Sequence, residues 1–128
     1  MAVKICLLGY GKMGKMIAEL ASDFDCTVVS KIDPNQKDCY QEISEQSLQD
    51  ADVCIDFSHP SVVLENIHKV LALKKNMVVG TTGWFEHLKE IQQQVQQAGT
   101  GFLYGANFSI GMNIFKRLVA EATKAFDR

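Results

Sequence analysis

The sequence has no hydrophobic run long enough to cross a membrane and no long block of like charges. A bilayer-spanning helix needs roughly 18 or more consecutive apolar residues. Gly9 interrupts the apolar run near the N-terminus before that run is long enough for a secretory signal. The formal net charge is -2, which does not favour a nucleic-acid-binding face. We therefore expect a protein that binds neither membranes nor nucleic acid.

The chain also has few cysteines, and no two of them form a Cys-x-x-Cys pair. Cys6, Cys26, Cys39 and Cys54 are scattered, and most lie in or beside apolar runs, where a reduced cysteine packs as a small apolar side chain. The histidines are not spaced with the cysteines as metal ligands would be. The sequence predicts a cytoplasmic protein without disulfides and without a metal site.

What the sequence does contain is the length and composition of one globular domain. It has 128 residues, of which 47% are hydrophobic and 22% charged, and this length is close to the commonest domain size. There is no internal repeat and no linker-like segment. We expect a single domain over residues 1–128.

Short apolar runs alternate with longer amphipathic stretches along the whole chain. The runs predicted to be strands are residues 3–8, 26–32, 52–57, 76–80 and 101–105. Three of the intervening or following amphipathic stretches have the predicted buried faces Met13, Ile17, Leu20 and Ala21; Val62, Val63, Ile67, Val70 and Leu71; and Ile114, Leu118 and Ala122. Ser58 is the predicted N-cap of the second of these helices. Strand–helix alternation predicts a parallel sheet with helices on both faces.

A glycine-rich loop follows the first predicted strand. Residues 9–14, GYGKMG, have the pattern G-x-G-x-x-G, placed between a strand and a helix. Gly9 would permit a tight turn, Gly11 would leave room for a pyrophosphate, and Gly14 would allow close helix–strand packing. Asp33, at the end of the second strand, has the position of the acid that binds the adenosine ribose. The pattern predicts a Rossmann-like, doubly wound dinucleotide-binding fold; the alternative is an ordinary turn, with Asp33 starting a β-turn at Pro34.

Three further strand ends are rich in small and hydrogen-bonding residues: DFSHP (56–60), GTTG (80–83) and GANFSIG (105–111). Ligands of open α/β sheets bind beyond the carboxyl ends of the strands. We expect these loops to meet on the edge of the sheet that carries Gly11.

Taken together, the loops resemble those of the 4-hydroxy-tetrahydrodipicolinate reductases (dihydrodipicolinate reductases), NAD(P)H enzymes of lysine (diaminopimelate) biosynthesis. The resemblance covers the whole chain, and GTTG and NFSIGMN are its specific parts. GYGKMG departs slightly, because many members have one more residue between the first two glycines.

The resemblance implies a cofactor site for NADH or NADPH. Its residues would be Gly9, Tyr10, Gly11, Lys12, Met13, Gly14, Asp33, Phe57, Ser58, Gly80, Thr81, Thr82, Gly105, Ala106, Asn107 and Phe108. Other interpretations stay open: Phe57 and Phe108 as core residues, and Thr81 and Thr82 as helix caps. A 2′-phosphate would be repelled by Asp33, so we expect NADH to bind at least as well as NADPH.

The family's His-His pair, its downstream Lys and its Ser-Gly-Thr-Ala segment have no counterpart here. We therefore expect no catalytic residue in this chain, which would be a cofactor domain ending near the hinge to an absent substrate domain. It would bind cofactor without turning over the cyclic dicarboxylate substrate, and the full-length enzyme would be a homotetramer. The alternatives are the cofactor domain of another amino-acid dehydrogenase and a stand-alone NAD(H)-sensing module.

Overall fold

Strands and helices alternate along the chain. The computed structural model describes residues 2–127, which form five strands and five α-helices. In order they are β1 (Val3–Leu8), α1 (Lys12–Leu20), β2 (Cys26–Ile32), α2 (Glu45–Leu48), β3 (Val53–Asp56), α3 (Val63–Ala72), β4 (Asn76–Val79), α4 (Leu88–Ala98), β5 (Phe102–Tyr104) and α5 (Ile110–Phe126). Short 3₁₀ turns, Ala21–Phe24 and Phe85–His87, follow α1 and precede α4.

All five strands pair in parallel in one sheet, in the order β2-β1-β3-β4-β5. The strand order reverses between β1 and β3, which is the switch point where doubly wound sheets bind their ligands. The Rossmann-like fold is therefore confirmed, and every predicted strand lies within two residues of its observed bounds.

The main core lies between the sheet and helices α2, α3 and α4. Cys6 of β1, Ile67 of α3 and Ile91 of α4 are members of this one buried cluster. Successive side chains of a strand point to opposite faces, so Leu7 is buried on the other side of the sheet. Right-handed crossovers place α1 on that side, where Ala21 is also buried.

The predicted buried face of α1 is partly wrong. Met13 and Leu20 are 44% and 46% exposed, and the buried residue of the helix is Gly14. A Cβ at Gly14 would lie 2.3 Å from the carbonyl oxygen of Gly9. The helix therefore meets the loop after β1 backbone to backbone, and this close approach leaves Met13 and Leu20 at the edge of the contact.

The predicted start of α3 is also wrong. The helix begins at Val63, its N-cap is Val62, and no side chain caps it. Val62 is consequently 41% exposed, whereas the other predicted face residues of this helix are buried. Ser58 lies in the loop before the helix, and its hydroxyl donates a hydrogen bond to Asp56.

The helix predicted at the C-terminal end forms as α5, but no residue of it is buried. Ile114 is 52% and Leu118 63% exposed, and Ala122 is exposed too. The predicted face exists, yet it packs against nothing within residues 2–127. None of the helices in this range has both the length and the apolar character that crossing a membrane requires.

Candidate functional site

The four loops singled out from the sequence meet at the carboxyl edge of the sheet. The first residue after each of four strands donates its N–H to the carbonyl of the last residue of a neighbouring strand. These bonds are Gly9 to Ile32 (2.9 Å), Phe57 to Leu8 (3.0 Å), Gly80 to Asp56 (2.9 Å) and Gly105 to Val79 (3.2 Å). The predicted gathering of the loops is confirmed.

A cavity of about 560 Å³ opens at the switch point between β1 and β3. Its walls come from the loop after β1, the end of β2 and the loop that follows it, the loop after β3, and α3. The predicted site residues in its lining are Gly9, Gly11, Asp33, Phe57 and Ser58. The volume is typical of a small-molecule pocket, and the loops after β4 and β5 lie outside this lining.

The glycine loop leaves open space where a phosphate group is expected. Gly9 has φ +88°, and a Cβ there would lie 2.5 Å from the carbonyl oxygen of Phe57. A Cβ at Gly11, by contrast, would meet nothing within 4 Å. Gly11 is the N-cap of α1 and no side chain of the described residues caps that helix. The first N–H groups of α1 therefore have no side-chain partner among the described residues, which suits an anionic ligand.

Asp33 is fixed beside this loop by two backbone bonds. Its Oδ2 accepts the N–H of Tyr10 at 2.8 Å, and its Oδ1 accepts the N–H of Asn35 at 2.9 Å. Asp33 also starts a turn, since its carbonyl accepts the N–H of Gln36. Each carboxylate oxygen can accept a second hydrogen bond. Asp33 thus performs the turn role and still has acceptor capacity for two ribose hydroxyls.

Positive charge lies next to Asp33. The ammonium groups of Lys31 and Lys15 lie 4.5 Å and 5.9 Å from the centroid of the Tyr10 ring, within cation–π range. Burial raises the pKa of the nearby Cys39 thiol, while Lys31 lowers it and Asp33 raises it. The acid and the two lysines therefore form one mixed-charge surface around Tyr10.

The opposite wall of the cavity carries an ion pair on α3. The Nζ of Lys69 lies 2.7 Å from Oε1 of Glu65, and this hydrogen bond lowers the pKa of the Glu65 carboxyl. Both side chains line the cavity.

Asp56 is a residue that the sequence reasoning missed. It is fully buried and receives hydrogen bonds from Ser58, Thr81 and Asn66. The sequence signal that could have indicated Asp56 is a charged residue at the end of an otherwise apolar strand. The hydroxyls of Ser58 and Thr81 face Asp56, so the cofactor contacts predicted for these two residues stay predictions.

Two phenylalanines cover the glycines of neighbouring loops. A Cβ at Gly80 would lie 2.1 Å from the ring of Phe57, and one at Gly105 would lie 3.2 Å from the ring of Phe108. The two rings meet edge to face, with centroids 6.1 Å apart. Phe108 is 45% exposed and Phe57 half-buried, so neither belongs to the core. Their position at the carboxyl edge is compatible with the predicted cofactor role.

The remaining predicted residues lie in the same loops. Thr82 is exposed, and no threonine side chain caps the 3₁₀ turn or α4. The Oδ1 of Asn107 accepts the N–H of Ser109 at 2.8 Å. Ala106 lies exposed beside it. In α1, Lys12 and Met13 form the first turn.

Within residues 2–127, no three His, Cys, Asp or Glu side chains are grouped to hold a metal, and the four cysteines are free thiols.

Comparison with known proteins identifies the family. The family described as "Dihydrodipicolinate reductase, N-terminus" matches residues 3–108. The chain belongs to this family. A 4-hydroxy-tetrahydrodipicolinate reductase of Christiangramia forsetii is 35% identical over 118 residues, which are 91% of this chain and 46% of that protein. One of Streptococcus uberis is 36% identical over an alignment of 138 residues, covering 98% of this chain and 53% of that protein.

The fold comparison agrees with the sequence comparison. Dipicolinate-bound dihydrodipicolinate reductase from Paenisporosarcina sp. TG-14 superposes with a TM-score of 0.71 at 24% identity, over 87% of this chain and 49% of that one. The dihydrodipicolinate reductase resemblance of the four loops is thus confirmed, in preference to another amino-acid dehydrogenase. The chain spans about half the length of the curated relatives it matches.

Proposed function

We propose that this chain binds NADH or NADPH along the carboxyl edge of its sheet. The observation that carries the proposal is the bond from the Tyr10 N–H to Asp33 at 2.8 Å, beside the open space at Gly11. The pyrophosphate would lie at the N-terminus of α1, where N–H groups and the helix dipole favour negative charge. Membership of the dihydrodipicolinate reductase family supports this assignment.

We assign the other predicted residues to three parts of the cofactor site. Residues 12–14 would offer N–H groups to the pyrophosphate. Phe57 and Ser58 would border the adenosine half, since both line the cavity. Residues 80–82 and 105–108 would surround the nicotinamide half. The bound cofactor would supply a hydride, while these loops fix the face of the nicotinamide ring and Phe108 excludes water.

We propose that NADH binds at least as well as NADPH. The ribose hydroxyls of NADH match the acceptor capacity left on Asp33. A 2′-phosphate near this carboxylate would be repelled by roughly 1–4 kcal/mol at about 4 Å, depending on the local dielectric. Lys31 and Lys15 offset part of that repulsion, because both ammonium groups lie over the neighbouring Tyr10 ring.

For the full-length protein we propose the family's reaction, the reduction of 4-hydroxy-tetrahydrodipicolinate to tetrahydrodipicolinate in lysine biosynthesis. The relatives' names support this reaction. We assign no catalytic residue to this chain, so the groups that bind the substrate carboxylates and supply a proton would come from other parts of the full-length protein. We further propose a homotetramer and a cytoplasmic location, the latter supported by the four free thiols.

The first experiment is a titration of the 128-residue chain with NADH and NADPH, followed by the fluorescence of Trp84. This indole is fully buried, and its Nε1–H donates to the carbonyl of Thr81 at 2.9 Å, so it would respond to ligand at residues 80–82. We expect saturable quenching with both cofactors and no substrate-dependent oxidation of NADH. Absence of binding by fluorescence and by calorimetry would contradict the cofactor assignment, and turnover by this chain would contradict the absence of catalytic residues.

A further inference from the structure

Asp56 joins the loop after β3 to the loop after β4. Its Oδ1 accepts the Ser58 N–H at 2.9 Å, the Ser58 hydroxyl at 2.6 Å and the Thr81 hydroxyl at 2.7 Å. Its Oδ2 accepts the side-chain amide of Asn66 on α3 at 3.0 Å. Its own carbonyl accepts the N–H of Gly80 at 2.9 Å. One buried residue therefore holds both loops and the helix that follows the first of them.

All the hydrogen bonds to the Asp56 side chain run from a neighbouring donor to its carboxylate. Each side-chain or backbone group facing the Asp56 carboxylate is a donor, so the carboxylate acts only as an acceptor. Thr81 also accepts the Ser58 N–H at 2.9 Å, while the Ser58 hydroxyl accepts a longer bond of 3.3 Å from Asn66. A buried network in which every member is satisfied has one arrangement and resists deformation.

The two loops belong to different parts of the proposed site. Ser58 lines the cavity at the switch point, whereas Thr81 lies outside that cavity, in the loop assigned to the nicotinamide half. Within residues 2–127, all hydrogen bonds between these two loops involve Asp56 or Thr81. The hydrogen-bonded connection between the two loops therefore depends on this pair.

We propose that Asp56 is a positioning residue, which acts through Thr81 to hold the nicotinamide-half loop in register with the adenosine half of the site. The inference rests on the proposed cofactor function. It assigns to Asp56 no contact with the cofactor. If the hydrogen bond between Asp56 and Thr81 is lost, ligands that span both halves should bind more weakly. Ligands that occupy only the adenosine half should bind as before.

The matched variants are Thr81→Val, which keeps the shape of the side chain and removes the hydroxyl, and Thr81→Ser, which keeps the hydroxyl. The probes are NADH, which spans both halves, and ADP, which reaches only the adenosine and pyrophosphate positions. We expect Thr81→Val to bind NADH at least tenfold more weakly and ADP within twofold of the unsubstituted chain. We expect Thr81→Ser to restore NADH binding.

Thr100→Val is the control for the chemical change itself. Thr100 lies just before β5, at the amino edge of the sheet, and its buried hydroxyl has no partner among residues 2–127. This variant should bind both probes as the unsubstituted chain does. Asp56→Asn is the second variant, because it leaves Thr81 in place, lies outside the cavity lining and replaces one acceptor oxygen by a donor; it should weaken NADH at least threefold more than ADP.

The outcomes separate the two hypotheses. An unsubstituted chain that binds neither NADH nor ADP overturns the cofactor function, and the positioning role with it. An unsubstituted chain that binds both, with Thr81→Val losing both equally or neither, overturns the positioning role alone. A selective loss of NADH in Thr81→Val that Asp56→Asn does not share also overturns it, because Thr81 would then act by contacting the cofactor itself. A purely structural role would lower thermal stability without changing the ratio of the two affinities.

Discussion

The glycine loop makes a quantitative prediction that separates ligand binding from folding. Gly11→Ala adds a methyl group that meets nothing within 4 Å. The backbone at Gly11 has φ -84° and ψ -149°, just outside the extended region, so alanine there should gain little of the roughly 0.4–1 kcal/mol that it brings through the unfolded chain at a fully compatible position. We expect the free energy of unfolding to stay within about 1 kcal/mol of the original value. The same methyl group would occupy the space proposed for the pyrophosphate, so NADH should bind at least tenfold more weakly, which is about 1.4 kcal/mol.

Gly14→Ala should show the opposite behaviour. Its Cβ would lie 2.3 Å from the carbonyl oxygen of Gly9, a backbone atom that cannot rotate away. Overpacking of this kind costs about 1–3 kcal/mol, or a drop in Tm of roughly 3–15 °C at this chain length. Gly99→Ala is a control at the C-terminus of α4. It has open space but φ +69°, so it should cost about 1–2 kcal/mol and leave NADH binding unchanged.

The assays are thermal unfolding by circular dichroism and titration with NADH by calorimetry. Two results would refute the reasoning. Gly11→Ala binding NADH as tightly as the original chain would show that the pyrophosphate does not lie there. Gly11→Ala losing as much stability as Gly14→Ala would show that the space beside Gly11 is not open.

Three further predictions concern stability, pH and cofactor choice. Thr100→Val should raise the free energy of unfolding in urea by about 1 kcal/mol, because it removes a buried hydroxyl without a partner; a destabilised variant would mean that the hydroxyl is bonded. The hydrogen bond between the Cys6 and Cys54 thiols lowers the pKa of Cys6 and, with burial, raises that of Cys54 above its usual 9.0, so above about pH 9 the folded pair keeps one proton that the unfolded chain loses. Stability should therefore decline above about pH 9 by about 1.4 kcal/mol per pH unit; Cys54→Ala should show a shallower decline there, and an equal slope would exclude this cause. Asp33→Ala should weaken NADH and shift the preference towards NADPH in paired titrations, since it removes the ribose acceptor and the repulsion of a 2′-phosphate; an unchanged ratio would remove Asp33 from the ribose site.

The strands were predictable because their composition leaves a local mark. Residues 3–8 and 26–32 are short segments rich in apolar and β-branched residues, and each became a strand with those bounds. The glycine pattern likewise predicted the turn and the close approach of α1. These features depend on residues adjacent in sequence, so no knowledge of the tertiary structure was needed.

The wrong predictions concern residues whose contacts are decided by groups other than their neighbours in the predicted helix. Ser58 has the composition and position of a helix cap, but Asp56 takes its hydroxyl, and Thr81, far along the chain, completes that arrangement. Helical periodicity placed Met13 inside, although the backbone contact at Gly14 decides how α1 meets the sheet. The apolar face of α5 was predicted from helical periodicity. The spacing of apolar residues within a helix does not show what that face packs against, and no residue of α5 is buried.

The interior position of β1 in the sheet has a consequence for the order in which the protein can assemble during synthesis. β1 pairs with β2 on one side and with β3 on the other, so that Ile5 has partners at Val28 and Val53. A ribosome adding about 5–20 residues per second needs roughly 2–10 s to make the chain between β1 and β3. During that interval the segment Val3–Leu8 can pair only with β2, so its other edge stays without a partner strand until β3 is made.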